Sequence, residues 1–444
     1  MQRPRLAGRS MADIEAILRE RLAGRAAGVG LVVGLVDADS RRVVRAGGAG
    51  RADGSPLGGD TLFEIGSTTK AFTGLLLAQM AECGEVSPDD PVQSYLPDDV
   101  RLARPGGQPI TLKALASHTA GLPHDADNYA PRDPANPFAD YTTARLYDFL
   151  NRWRPSEKGR PSYAYSNVGM GLLGHALALR AATDFETLIR TRIAEPLGMA
   201  STFIALTPAL QARFARGHDY DGRPASHTDV PVIAGAGALR STADDLLAFL
   251  AAEAGLAATP LRSAMAAQLA PRWATGRADF QHQALGWGVT SDAGGEIAWH
   301  VGRTTGFRCF LGFDRGAQLG VVVLGNQATA GAGEDIGLHL LIGRPLAPAG
   351  AARRSANVPA EALRACEGRY RLSPSVEIAV KAGDGRLIFR TGERRMAFYP
   401  QDAATFFMKQ FDVQTTFEFD AQGRATALRL TENGRERRAP RLGD

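Results

Sequence analysis

Lysine is scarce in this 444-residue chain. Of its 51 basic residues five are lysine (Lys70, Lys113, Lys158, Lys381 and Lys409) and the others are arginine. A coding bias toward arginine erases lysines that arginine can replace, so a lysine that persists asks for a reason. Cysteine is scarcer still. Cys83, Cys309 and Cys366 are odd in number, far apart and without CxxC spacing, which excludes a disulfide framework and a cysteine zinc site and leaves three buried thiols as the expectation. The 8 histidines include no HExxH or similar ligand pair, so neither a metal nor any other cofactor is expected. No window approaches the run of about 18 apolar residues that a membrane span needs. The opening stretch M-Q-R-P-R-L-A-G-R-S lacks the apolar core of a secretory signal, so a cytoplasmic protein is expected. The net charge is only +4, and no basic run interleaved with aromatics offers a face for nucleic acid. Arg353-Arg354 and Arg437-Arg438 read as solvated surface.

What is present is a globular composition, 44% hydrophobic and 22% charged, in a chain too long for one ordinary core. Ile14, Ile17, Leu18 and Leu22 share one helical face. G-V-G-L-V-V-G-L-V-D and R-V-V-R-A-G-G-A-G flank a polar turn at 38–42 and predict a β-hairpin. Residues 68–83 carry the longest apolar helix pattern, closed by Gly84. From 85 to about 285 short helices (near 111–117, 143–151, 168–180, 185–195 and 242–252) alternate with loops rich in Pro, Gly and Asp. Strand patterns resume at E-I-A-W-H, G-F-R-C-F-L-G-F and L-G-V-V-V-L-G-N, and a helix near 332–342 follows. The spacing predicts an α/β domain over 1–343, a Pro/Gly/Ala linker over 344–356 and about eight short alternating segments over 357–444, a small antiparallel β-barrel.

Ser67 and Lys70, three residues apart at the start of the long apolar helix, share one face. A serine hydroxyl needs a base to become a nucleophile. Arginine never gives up its proton, whereas a desolvated lysine can have its pKa lowered into working range. Phe63, Ile65 and Phe72 supply apolar surroundings that favour the neutral amine. A lone S-x-x-K is equally the pattern of a capping serine beside an exposed lysine. Two further stretches decide between these readings: P-S-Y-A-Y-S-N-V-G-M-G sets Tyr165 and Asn167 before a glycine-rich apolar helix, and I-A-W-H-V-G-R-T-T-G-F sets His300 and Gly302 at a strand edge.

In the order and approximate spacing of S-T-T-K, Y-S-N and H-V-G, the chain resembles the serine β-lactamase and penicillin-binding-protein superfamily, in its class C and DD-peptidase branch. S-H-T-A-G-L-P (117–123), D-D-P-V-Q-S-Y-L-P (89–97), I-A-E-P-L-G-M (193–199) and A-G-A-L-R-S-T-A-D-D-L (236–246) fit it too. The likeness covers about 12–343, while 357–444 is similar to the lipocalin-like domain that follows in many members. The resemblance implies a β-lactamase-like transpeptidase fold: an antiparallel sheet flanked by helices, with an all-helical lobe. It makes Ser67 the acylated nucleophile and Lys70 its proton acceptor. It makes Tyr165 a proton shuttle to the leaving group and Asn167 a hydrogen-bond partner of the acyl group's amide. It places His300 where relatives carry the Lys of K-T-G, and has Gly302 keep the strand edge open. The backbone amides of Ser67 and Arg303 would form the oxyanion hole, with Gly302, Thr304 and Arg308 near the substrate.

His300 and Val301 supply neither the cation nor the hydroxyl of K-T-G, which argues against efficient β-lactam hydrolysis. Arg303 or Arg308 could bind a carboxylate; an exposed strand arginine is the plainer reading. The expected function is thus a serine hydrolase or acyltransferase acting on a small or peptide-like amide, ester or thioester, with D-residues in range. One alternative is a penicillin-binding-protein-type thioesterase that releases and macrocyclises nonribosomal peptides, with a carrier protein as partner. The other is a non-catalytic scaffold that keeps the fold for binding. His118 reads as a loop fixer and Trp153, Trp273, Trp287 and Trp299 as packing. Asp244-Asp245 reads as a helix start at Thr242, and Phe398, Tyr399, Phe406 and Phe407 as barrel core.

Overall fold

In the computed structural model, the described residues are 10–443 apart from 49, 134, 156–161, 278, 330–332, 348–352, 354, 375, 392–393, 410–412 and 433–434. Lys158, the middle of the expected linker, Arg354 and the Asn433-Gly434 turn lie outside them. The chain enters through α1 (Met11–Leu22), opened by a reciprocal cap: the Asp13 amide donates to the Ser10 hydroxyl at 3.1 Å and the Ser10 amide to the Asp13 carboxylate at 3.0 Å. β1 (Gly30–Val36) and β2 (Arg41–Gly47) form the expected hairpin. β3 (Phe63–Glu64) leads through a 3-10 turn at Gly66–Thr68 into α2 (Thr69–Glu82), which ends at Cys83, with Gly84 following at a φ of 70°.

A helical lobe follows: α3 (Leu112–Ala116), α4 (Thr143–Arg152), α5 (Asn167–Arg180), α6 (Phe185–Ile189) and α7 (Pro208–Ala212). β4 (Arg240–Ser241) pairs with β3, and α8 (Ala243–Glu253) and α9 (Arg262–Leu269) lead back to the sheet. There the strands are β5 (Trp273–Ala274), β6 (His282–Gln283), β7 (Gly288–Asp292), β8 (Gly295–Arg303), β9 (Arg308–Asp314) and β10 (Leu319–Gly325), closed by α10 (Glu334–Ile342). The order is β2-β1-β10-β9-β8-β7-β6-β5, antiparallel throughout. β5 and β6 lie inside the stretch expected to be helical; strands of two residues leave no alternation to read.

Both faces of this sheet are covered, so β1 and β10 are apolar at every position. Successive side chains of β1 enter opposite cores: Val32 and Val36 join the core under α8 and α2, Leu31, Val33 and Leu35 the one under α1 and α10. α2 is buried on all sides from Thr69 to Ala78, the mark of a central helix.

After α11 (Ala360–Ala365) come β11 (Gly368–Ser373), β12 (Val376–Gly383), β13 (Arg386–Thr391), β14 (Arg394–Pro400), β15 (Thr405–Phe407), β16 (Val413–Phe419), β17 (Ala425–Glu432) and β18 (Arg435–Pro440), an antiparallel sheet in chain order. A bridge between Tyr370 and Arg441 brings its first and last strands together into a small barrel. Phe389, Phe398, Phe406 and Phe417 fill its interior, with Tyr370, whose hydroxyl donates to the Cys366 carbonyl at 2.8 Å. Phe407 is buried as expected; Tyr399 is half-buried, its ring under the Lys409 ammonium at 4.1 Å. Lys409 also pairs with Asp221 at 2.7 Å, tying a barrel turn to the preceding lobe.

Candidate active site

Among residues 61–70 every one is buried except Ser67, which stays half-exposed at the 3-10 turn. Lys70, one turn along, is fully buried. Its Nζ lies 2.9 Å from Ser67 Oγ, 2.9 Å from Asn167 Oδ1 and 2.7 Å from the Ala236 carbonyl. Burial lowers the Lys70 pKa from 10.5 to about 7, with the Asp125 carboxylate working in the other direction. At neutral pH a large share of this amine is uncharged, as the sequence required.

Tyr165 stands just before α5, its ring 4.8 Å from Lys70 Nζ. Burial raises the phenol's pKa; the nearby Ser67 hydroxyl and the Arg303 guanidinium oppose the rise. It is therefore a proton-bearing phenol near pH 7. His300 lies beyond it, the two ring centroids 6.3 Å apart. Burial and the Lys70 charge push the His300 pKa down to about 3, so this imidazole is neutral, with Nδ1 2.8 Å from the Val301 carbonyl oxygen.

Pairing between β7 and β8 stops at Gly288 and Trp299, so the last four residues of β8 carry no strand partner on that edge. The Ser67 turn packs there. A Cβ on Gly302 would come 1.8 Å from the Ile65 carbonyl oxygen, and one on Gly66, at a φ of 51°, would come 2.7 Å from the Arg303 amide nitrogen. Gly302 is thus required by contact between the strand and the nucleophile turn. The same contact sets the Ser67 turn against the Arg303 backbone. Thr304 begins the following turn, its amide donating to the Phe307 carbonyl at 3.1 Å.

Arg308 is a further correction. It is buried, with Nη2 donating to the Ala328 carbonyl at 2.8 Å, and desolvation lowers its pKa to about 9. It is neither an exposed strand arginine nor a residue of the site's surface. Arg303 reaches Glu334 at 3.5 Å. Both ends of the Asn167 amide are engaged by the protein: Oδ1 accepts from Lys70, and Nδ2 donates to Asp125 Oδ1 at 3.0 Å.

His118 fixes loops, as read from the sequence. Its Nδ1 accepts from the Ser166 amide at 3.1 Å and its carbonyl from the Ala164 amide at 2.8 Å. Its pKa lies well below the ordinary value, through burial first and neighbouring cations next. Trp287 and Trp299 are core residues, while Trp153 and Trp273 are half-buried against the core. Thr242 caps α8 by accepting from the Asp245 amide. Cys309 and Cys366 are buried free thiols, but Cys83 is exposed at the end of α2, because the helix's buried face has run out there. Among the described residues no group of His, Cys, Asp or Glu could hold a metal ion, and no helix is long and apolar enough to cross a membrane.

Sequence reasoning missed Asp125. Its signal was within reach, six residues beyond the S-H-T of the S-H-T-A-G-L-P stretch, but an aspartate in a loop carries no periodicity.

The β-lactamase family profile matches residues 14–343. The chain belongs to the β-lactamase family. It is an enzyme of that family's serine-hydrolase type, so a non-catalytic scaffold is set aside. A β-lactamase from Pseudomonas fluorescens is 27% identical over 265 residues, covering 58% of this chain and 68% of the relative. The D-alanyl-D-alanine-carboxypeptidase/endopeptidase AmpH of Escherichia coli K12 is 30% identical over 191 residues, covering 43% of this chain and 48% of its own. A class C β-lactamase structure from Rhodobacter sphaeroides superposes with a TM-score of 0.60 at 29% identity, over 71% of this chain and 93% of that one. Residues 352–439 match a domain of unknown function, DUF3471.

Proposed function

We propose that the enzyme works through an acyl-enzyme on Ser67, with Lys70 as the base. The observation that carries this reading is a fully buried amine of pKa about 7, 2.9 Å from a half-exposed serine hydroxyl. Neutral Lys70 takes the hydroxyl proton as Ser67 Oγ bonds to the substrate's carbonyl carbon. The oxygen that gains charge is held by the Ser67 and Arg303 amides; loss of one such donor costs roughly 3 kcal/mol in comparable sites. As the carbonyl re-forms and the bond to the leaving group breaks, the proton passes from Lys70 to the departing atom, with the neutral Tyr165 phenol as relay. Water or an amine then resolves the ester by the same steps in reverse.

The substrate is a small or peptide-like amide or ester, and D-residues are in keeping with the D-alanyl carboxypeptidase named among the relatives. Neutral His300 and Val301 supply no cation for a β-lactam carboxylate at the strand edge. Incubation with a fluorophosphonate, read by intact-protein mass, should add one adduct to the wild type and none to Ser67→Ala. A folded wild type that takes no adduct ends the reading. A panel of p-nitrophenyl esters, D-Ala-D-Ala peptides, peptidyl thioesters and nitrocefin should rank nitrocefin last; turnover of peptidyl thioesters above all others would move the assignment to thioester release from a carrier.

A further inference from the structure

A neutral amine has two hydrogens and one lone pair, and three oxygens surround Lys70 Nζ. The Ala236 carbonyl and Asn167 Oδ1 can only accept, so they take the two hydrogens and leave the lone pair for the one neighbour with a proton to give, the Ser67 hydroxyl. That outcome depends on Asn167 presenting its oxygen. An amide turned end for end would offer N–H instead, occupy the lone pair and leave Ser67 without a base. Asp125 prevents the turn, because a carboxylate only accepts and its Oδ1 lies 3.0 Å from Asn167 Nδ2.

Asp125 is itself held. Its Oδ2 lies 2.6 Å from His124 Nδ1, and the His124 carbonyl accepts from the Asn167 amide at 2.8 Å. The Ser166 hydroxyl donates to the Pro123 carbonyl at 2.6 Å. The 118–125 loop therefore grips the Y-S-N segment by backbone and side chain together.

We propose that Asp125 is a positioning residue of this site, orienting the Asn167 amide and through it the Lys70 amine so that the lone pair faces Ser67. The inference rests on the acyl-enzyme reading above. The titratable groups facing Lys70 are Asp125, Tyr165, His118 and His300, and those facing Asp125 besides Lys70 are His124, Tyr129 and Tyr165. His118 and His300 are already neutral near pH 7 and the phenols Tyr165 and Tyr129 keep their protons, so a limb of the pH profile near 7 belongs to Lys70.

The test is the second-order rate of fluorophosphonate labelling against pH in the full chain, with thermal unfolding as a check on folding. In Asp125→Asn the plateau should fall roughly 10- to 100-fold, the scale of a misplaced reacting group. The acid limb should move about half a pH unit or more toward lower pH, because a charge that favours the ammonium is gone. Asp125→Glu should bring the limb back. The same comparison in a His124→Gln background, where no imidazole bonds Asp125, should show the same movement of the limb. A limb that stays in place in folded Asp125→Asn, with or without loss of plateau, overturns the proposal. Absence of labelling in the wild type would instead end the acyl-enzyme reading and this inference with it.

Discussion

At pH 7 an ordinary lysine is almost wholly charged, and Lys70 departs from that because its ammonium would be buried away from water. Below pH 7 the amine is protonated and cannot accept the Ser67 proton; above it the base is free. The rate of ester turnover, kcat/KM, should therefore rise tenfold per pH unit on the acid side and level off above about 7. A profile flat from pH 5 to 8 would remove Lys70 from the base role. Lys70→Arg keeps the charge and the length but not the lone pair. It should lower labelling of Ser67 by at least a hundredfold, on the scale of general-base catalysis, as read by adduct mass over time.

The elements matter as much as the residues, since the site exists only where the Ser67 turn and the β8 edge touch. Gly302 permits that contact with no side chain between. Gly302→Ala forces β8 away from the Ile65 carbonyl and should cost about 1–3 kcal/mol, measured by the denaturant midpoint. Labelling of Ser67 should slow with it. Gly383→Ala, at the end of β12 with nothing within 4 Å of the added carbon, is the control and should match the wild type in both measurements. The loop after β6 makes a second close approach: a Cβ on Gly286 would come 2.1 Å from the Lys70 carbonyl oxygen. The start of α2 is thus held from two sides, which keeps Ser67 and Lys70 in one geometry.

For the whole molecule, an uncharged base in the core is a standing cost. A folded-state pKa of about 7 against an ordinary 10.5 means that the unfolded chain binds more protons between those values, so this group's contribution to stability rises with pH across that window. Below pH 7 the penalty of protonating a buried amine is present in full. The stability difference between wild type and Lys70→Met should therefore shift in favour of the wild type by several kcal/mol from pH 7 to about 10. Chemical denaturation at each pH checks this; a difference independent of pH would mean that Lys70 is charged in the fold. Comparing the two proteins cancels the titration of all other groups.

The sequence alone carried the period of most of the long elements, though not of α9. β1, α2, α5, β8, β9 and β10 lie where alternation and helical spacing put them, because each buries a face long enough to impose its period. The structure also brings Ser67, Lys70, Tyr165, Asn167 and His300 near one another, residues that the S-x-x-K spacing and the family resemblance had singled out. β5 and β6 were not legible, because two residues have no period. Neither was the burial of Arg308 nor the contact of Gly302 with the Ile65 carbonyl, which depend on what the chain brings against them from elsewhere. Asp125 shows the division most plainly. Its sequence neighbourhood is an ordinary polar loop, and only the fold, by setting that loop across the start of α5, turns its carboxylate into the partner of Asn167. Side-chain chemistry follows from residue identity, but a pKa and a hydrogen-bond direction follow from neighbours, and those are chosen by tertiary structure.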